Sequence, residues 1–285
     1  MEGRAKALGR GGKLKYACPG NCGNNAIINA SFAGSPPLGA QVYLDIHDGA
    51  TGSLNAATNV VDAFKQAGSK ARVVVWETNT ARHDFSRVVD EGADLNDLQR
   101  AGWKDDARVD SRVESFCMEK SAHDPCLDAQ NGFCGDQGAI FFTENATWAQ
   151  PPFYVHQMIL DSPGQDLLLD AQVSGGPSQR QPLNVLAAKS HAGDTVVLRV
   201  VNSGAAAVNI TVRFSAGDAS RTPSSFAVQR LAAPGGVVTT DNPVWDPARH
   251  SPVAVPAAPF EPAAPLAVPP VSFSIYTFAM GGAGE

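Results

Sequence analysis

The feature that most constrains this chain is a change of hydrophobic period part-way along it. In the first half, KLKYAC (Lys13 to Cys18), QVYLDIH (Gln41 to His47) and RVVVWET (Arg72 to Thr78) are short apolar or β-branched runs about thirty residues apart. Between the second and third lies SLNAATNVVDAFKQAG, with Leu54, Ala57, Val60, Val61 and Phe64 on one helical face and Gly68 at the position of a C-terminal cap. After the third, HDFSRVVDEGADLNDLQRAG spaces Phe85, Val88, Val89, Leu95 and Leu98 helically and is expected to close at Gly102. Strand, helix, strand at this spacing predicts βαβ units and a parallel sheet. The unbroken VVVW run is what a strand buried on both faces requires.

The second half follows a period of two. TVVLRVVN (Thr195 to Asn202) and VNITVRF (Val208 to Phe214) alternate about a Ser-Gly turn and predict a β-hairpin. In the latter, Val208, Ile210, Val212 and Phe214 share one face, leaving Asn209, Thr211 and Arg213 toward solvent. SFAVQRL (Ser225 to Leu231) and VSFSIYTFAM (Val271 to Met280) predict further strands. Ten of the 20 prolines fall between Pro234 and Pro270. Proline removes ladder donors, so this stretch is expected to be an irregular excursion between strands. An antiparallel β-sandwich follows. The halves meet in AIFFTENATWAQPPFYVHQMI (Ala139 to Ile159), where FYVHQMI predicts a helix with Pro151 and Pro152 in its first turn.

Charge and motifs narrow the chemistry. With 22 Lys+Arg against 28 Asp+Glu and a net charge of -6, the chain has no general attraction to phosphate backbones, and nucleic acid is not an expected partner. No run of 18 apolar residues marks a membrane span, and the N-terminal residues lack the apolar core of a signal peptide. The five cysteines, Cys18, Cys22, Cys117, Cys126 and Cys134, lack paired C-x2-C spacing, which favours loop disulfides or buried thiols over zinc. Dinucleotide, P-loop, zincin and α/β-hydrolase motifs do not occur, and the reading calls for no cofactor and no metal. Asn29, Asn145 and Asn209 each begin an N-x-S/T sequon, making them glycosylation candidates and pointing to an extracellular or secretory-pathway setting.

Functional side chains in parallel α/β folds gather at the C-terminal ends of strands. QVYLDIH ends at His47 with Asp45 two positions earlier, and RVVVW runs straight into Glu77. A carboxylate following four apolar residues is costly to bury without a partner, which makes Glu77 the first candidate for a nucleophile or base. The alternative is a βα-loop residue that caps the next helix. His47 is a candidate catalytic neighbour or a structural hydrogen-bonder, and Asp45 an inward-facing or salt-bridging residue. Trp76 and Trp148 are candidates to stack on sugar rings or to fill the core.

VVVWETNTARHDFSRVVDEGADLNDLQRAG, QGAIFFTENATWAQPPFYVHQMI, GDTVVLRVVNSGAAAVNITVRF, DNPVWDP and PPVSFSIYTF occur in an order and spacing that resembles the C-terminal half of α-L-arabinofuranosidases of glycoside hydrolase family 51. The resemblance implies a (β/α)8 TIM barrel followed by a β-sandwich, and retaining cleavage of terminal α-L-arabinofuranosyl groups from arabinose-containing polysaccharides. It assigns Glu77 as nucleophile at the end of the seventh barrel strand and His47 as its hydrogen-bonding neighbour at the end of the sixth. Asp45 and Trp76 become substrate-binding candidates. KLKYAC would be the fifth strand and VESFCM, near Phe116, the eighth.

The expected fold class is therefore α/β plus all-β: barrel strands 5 to 8 in residues 1–159, then a sandwich in 160–285. The family's acid/base glutamate follows an asparagine at the end of the fourth strand, and no Asn-Glu pair occurs here. The expectation is a portion of a larger enzyme without its acid/base, since half a barrel leaves two raw sheet edges. A non-catalytic carbohydrate-binding or accessory protein retaining the sandwich is the alternative.

Overall fold

The computed structural model describes backbone and side chains of residues 84–100, 139–141, 145–175, 182–214, 222–239, 242–243 and 245–281, and the backbone alone of 16–18, 42–49, 72–79, 101–104, 109–114 and 142. The described chain is mostly β-sheet and divides into two units, residues 1–81 with 97–115 and residues 82–96 with 116–285.

In the first unit, β1 (Tyr16–Cys18), β2 (Val42–Gly49), β3 (Arg72–Asn79) and β4 (Val109–Glu114) form a parallel sheet in sequential order. The last strand is displaced from the expected VESFCM segment. Val109 pairs with Val73 and Glu114 with Thr78, so Val113 and Glu114 of the expected segment lie in β4, and its remainder lies outside the described residues. The helix expected over Ser53 to Gly68 lies outside the described residues, as do the side chains of the five cysteines.

Helix α1 (Arg87–Lys104) forms as its apolar spacing predicts but runs through Gly102 instead of closing there. A lone helical glycine costs only about 1 kcal/mol against alanine, too little to end a helix whose earlier turns are held by packing. Its start is tied down by Asp84, whose carboxylate accepts from the Ser86 amide at 2.8 Å. Among the described residues one more α-helix occurs, α2 (Pro151–Asp161), with both prolines in its first turn as expected. At its other end the Ser162 hydroxyl donates to Met158 O at 2.7 Å, and Gln165 Nε2 donates to Ile159 O and Ser162 O at 2.7 and 2.9 Å. These bonds satisfy carbonyls that a helix end leaves without partners.

The centre of the second unit is a six-stranded sheet in the order β12-β11-β14-β9-β8-β7, antiparallel throughout. Its strands are β7 (Leu167–Leu169), β8 (Leu183–Lys189), β9 (Thr195–Asn202), β11 (Pro223–Ala232), β12 (Val253–Pro259) and β14 (Ser272–Met280). Two short pairs stand apart: β5 (Ile140–Phe142) with β6 (Thr147–Ala149), and β10 (Val208–Ile210) with β13 (Leu266–Val268).

The expected hairpin does not form. β9 lies between β8 and β14, and β10 pairs instead with the distant β13, Asn209 opposite Ala267. Alternation within Val208–Phe214 is as expected, because alternation reports a half-buried surface and not the identity of the neighbour. Within the proline-rich excursion, β12 is a strand after all, but an edge strand, where Pro256 and Pro259 are tolerated.

The large sheet is buried on both faces, which a simple two-sheet sandwich would not require. On one face Val197 and Val201 of β9, Phe273 and Ile275 of β14, and Leu231 of β11 pack with Phe85, Val88 and Val89 of the α1 region and with Val155 and Met158 of α2. On the other, Val196, Leu198, Val200, Val228, Tyr276 and Phe278 pack with Leu266 and Val268 of β13 and with Ile210, Val212 and Phe214. Phe214, Phe226, Phe260 and Phe278 form a ring cluster there, with centroids 5.4 to 6.3 Å apart and mostly edge-on. Such pairs add about 0.5–1.5 kcal/mol each beyond area burial. Two covered faces explain why β9 is buried at every position after Thr195, including Arg199.

Candidate functional site

The two first candidates come together in the backbone ladder. β2 and β3 run parallel, and His47 is in register with Glu77, followed by Asp48 with Thr78 and Gly49 with Asn79 at the strands' C-terminal ends. Adjacent strands lie about 5 Å apart, so His47 and Glu77 occupy neighbouring positions on the sheet. The register has a break just before them: Asp45 pairs with Val74, but His47 pairs with Glu77. One residue of β2, Ile46, therefore stands against two of β3, Val75 and Trp76. This is the arrangement of a β-bulge, a device that re-aims a strand beside functional sites. With an unbroken register Trp76 would have fallen opposite His47.

Of the weaker candidates, Asp45 lies before the bulge and Trp76 within it. The sequence reading missed Glu114, the last residue of β4, in register with Thr78 and one step beyond Glu77. A carboxylate ending the alternating VDSRVE run was the available signal. The expected strand, VESFCM, begins four residues later than β4, which puts Glu114 near its start and not at its end.

Trp148 is a core residue. It is 5% exposed, its indole donates to Asn242 O at 2.8 Å, and it meets Phe141 edge-on at 5.9 Å. Asn242, in the DNPVWDP segment, is the hub of this region. Its amide N donates to Gln150 Oε1 at 3.1 Å, and its Nδ2 donates to the carbonyls of Ala149 and His250 at 3.0 and 3.2 Å. Its Oδ1 accepts from the His250 amide at 2.8 Å, and its carbonyl also accepts from Gln150 Nε2 at 2.9 Å. The main chain and buried carboxamide of Asn242 together join β6, the start of α2 and the turn at 245–250.

Two buried polar groups sit on the helix-covered face of the large sheet. Glu91 of α1 is fully buried and its Oε1 lies 2.8 Å from His156 Nε2 of α2. Arg199 is 2% exposed, and burial holds its pKa down to about 10. Its Nε donates to Gln165 Oε1 at 2.7 Å and Nη2 to the same oxygen. Gln165 in turn bonds the last carbonyls of α2, so the cation sits near the negative end of a helix. Among the described residues no group of three metal-binding side chains occurs, and no helix is long and apolar enough to cross a membrane.

No protein-family model matches the chain, and no curated protein is significantly similar to it in sequence. Solved structures do match. The family 51 α-L-arabinofuranosidase of Thermotoga petrophila aligns with a TM-score of 0.57 and 13% identity, over 82% of this chain and 52% of that one. The Thermotoga maritima α-L-arabinofuranosidase aligns with the same score, 14% identity and the same coverages. A family 51 α-L-arabinofuranosidase of Bifidobacterium longum gives 0.57 and 12% over 97% of this chain and 60% of that one. A family 30 endoxylanase of Clostridium papyrosolvens also matches, at 0.53 and 10%. The chain has a glycoside-hydrolase-like fold of the family 51 kind and spans about half the length of the arabinofuranosidases it matches.

Proposed function

We propose that this chain is the C-terminal portion of a retaining glycosidase of α-L-arabinofuranosidase type, acting on terminal α-L-arabinofuranosyl groups of arabinose-containing polysaccharides or oligosaccharides. In this reading β1 to β4 are strands 5 to 8 of a (β/α)8 barrel within residues 1–159, and residues 160–285 are the sandwich. The observation that supports it is the shared register of His47 and Glu77 at parallel strand ends, beside a bulge and within a fold like that of family 51 enzymes.

Glu77 acts as the nucleophile. Its carboxylate attacks the anomeric carbon as the glycosidic C–O bond breaks and the leaving oxygen takes a proton from a second carboxyl. Water then attacks the glycosyl ester, giving its proton to that carboxylate and releasing Glu77. The two carboxyl groups must stand about 5–5.5 Å apart. A hydrogen bond from His47 stabilises the ionised form of Glu77 and keeps it nucleophilic. Asp45 and Trp76 contribute to the sugar subsite. The second carboxyl comes from outside these 285 residues, because no Asn-Glu pair occurs in them.

A substrate with a dinitrophenolate leaving group tests the assignment, since it departs without protonation. Incubation of the chain with dinitrophenyl α-L-arabinofuranoside is expected to release a burst of dinitrophenolate and leave an arabinosyl ester on the Glu77 peptide. With an ordinary aryl arabinofuranoside, turnover is expected to be slight. Labelling elsewhere would overturn the nucleophile. Strong Glu77-dependent turnover of the ordinary substrate would overturn the absent acid and make Glu114 the residue to substitute next.

A carbohydrate-binding role for the second unit is the alternative, and Trp245 favours it. Among the described aromatic residues with assigned burial it alone is largely exposed, at 54%. Its turn is fixed by Asp246 N donating to Pro243 O at 3.0 Å and by the Asn242 hub. An indole held at the surface is suited to stack on a sugar ring. Retention of residues 1–285 on arabinan, lost on Trp245→Ala while Glu77→Ala retains it, would favour this role; equal retention of both variants would remove it.

A further inference from the structure

Six asparagines have described side-chain environments, and they divide by exposure. Asn96, Asn184, Asn202 and Asn242 are buried or half-buried, and each takes part in side-chain hydrogen bonds such as Asn96 Nδ2 to Asn184 Oδ1 at 3.0 Å and Asn202 Nδ2 to Pro269 O at 2.8 Å. Asn145 and Asn209 are exposed, and these two are the ones that begin N-x-T sequons.

The backbone accounts for the exposure at each. Asn209-Ile210-Thr211 begins in β10, whose ladder to β13 uses main-chain groups, while Ile210 turns into the core cluster. The strand's period of two then turns both Asn209 and Thr211 outward, and both are exposed. Among the described residues the Asn209 side chain makes no hydrogen bond, so its carboxamide is not committed to the fold. Asn145 and Ala146 lead into β6 and Thr147 opens it, with all three residues exposed and the chain entering the core only at Trp148.

We propose that Asn209 and Asn145 are N-glycosylation sites, and that the folded second unit accommodates a glycan at both. The co-reactants are an oligosaccharide diphosphate carried on a polyprenol and a membrane-bound transferase. The carboxamide nitrogen attacks the anomeric carbon, an N–C bond forms, and the C–O bond to the diphosphate breaks. The lipid diphosphate leaves, and the amide proton passes to a base of the transferase. This modification does not rest on the glycosidase reading, and its outcome says nothing of Glu77.

The test routes the full chain through the secretory pathway of a eukaryotic host and maps peptides after peptide-N-glycosidase treatment, which converts each occupied asparagine to aspartate. Conversion at Asn209 and Asn145 is expected, with one glycan lost in each of Asn209→Gln and Asn145→Gln. Thr211→Ala and Thr147→Ala, which leave the asparagines intact, are expected to abolish the same two modifications. Urea midpoints of glycosylated and enzymatically deglycosylated protein are expected to agree. An unmodified Asn209 or Asn145 peptide in the secreted wild type, or a glycosylated form of clearly lower midpoint, would overturn the proposal.

Discussion

Gly92 offers the sharpest test of how α1 meets the sheet. A Cβ added there would stand 2.8 Å from Phe273 Cδ2, 3.3 Å from Phe273 Cε2 and 3.1 Å from Val201 Cγ2. Phe273 and Val201 are fully or almost fully buried within the cluster that joins α1 and α2 to the sheet, so neither has room to withdraw. On helix propensity alone Gly92→Ala should stabilise by about 1 kcal/mol. Forcing a methyl into a packed core costs about 1–3 kcal/mol. Overpacking should win by about 1 kcal/mol, lowering the melting temperature by about 2–4 °C in a unit of this size. Gly92→Leu should cost several times more. Phe273→Leu makes room at the same point, so the double variant Gly92→Ala/Phe273→Leu should be more stable than the sum of its singles, with a coupling of about 0.5–3 kcal/mol. The assay is urea unfolding, with amide exchange in β9 and β14 as the local readout. A stabilised Gly92→Ala, or strict additivity with Phe273→Leu, would refute the close contact on which the reasoning depends.

Other expectations follow from the buried polar groups. Asn242→Ala should destabilise the second unit by about 3 kcal/mol or more, because Ala149 O, His250 O and the His250 amide lose partners together, and early amide exchange in α2 would register it. Glu91→Leu should cost about 1.5–3 kcal/mol through the lost bond to His156, measured as a lower urea midpoint; an unchanged midpoint would show that the pair contributes nothing. Burial lowers the folded-state pKa of Arg199 to about 10, so its charge opposes folding at neutral pH and that opposition fades as pH rises through 10. Arg199→Met should therefore retain stability at pH 7, and the wild type should gain on the variant above pH 10; a large loss at pH 7 with no such gain would contradict this.

Much of the fold was legible locally. The apolar runs of Thr195–Asn202 and Val271–Met280, the prolines opening α2 and the helical spacing of Phe85, Val88 and Val89 are each properties of short segments. His47 and Glu77 were legible as strand-end residues for the same reason. What covers an apolar side is a separate matter, because it depends on residues tens of positions away. Nothing in Val208–Phe214 distinguishes β13 from β9 as its neighbour, since both are apolar segments. Nor does β9 by itself reveal that helices cover its second face and bury Arg199 there.

The candidate site divides along the same line. Sequence alone determined that a histidine and a glutamate end two parallel strands; only the tertiary structure decided that they stand opposite each other, through an extra residue at Val75–Trp76 against Ile46. A one-residue shift of register exchanges the faces of a strand, and register is set by the ladder between two strands and not by either sequence in isolation. Asn242 makes the same point within the second unit: its identity is plain in the DNP segment, but its work as a hub exists only where β6, Gln150 and the 245–250 turn converge on its main chain and buried carboxamide.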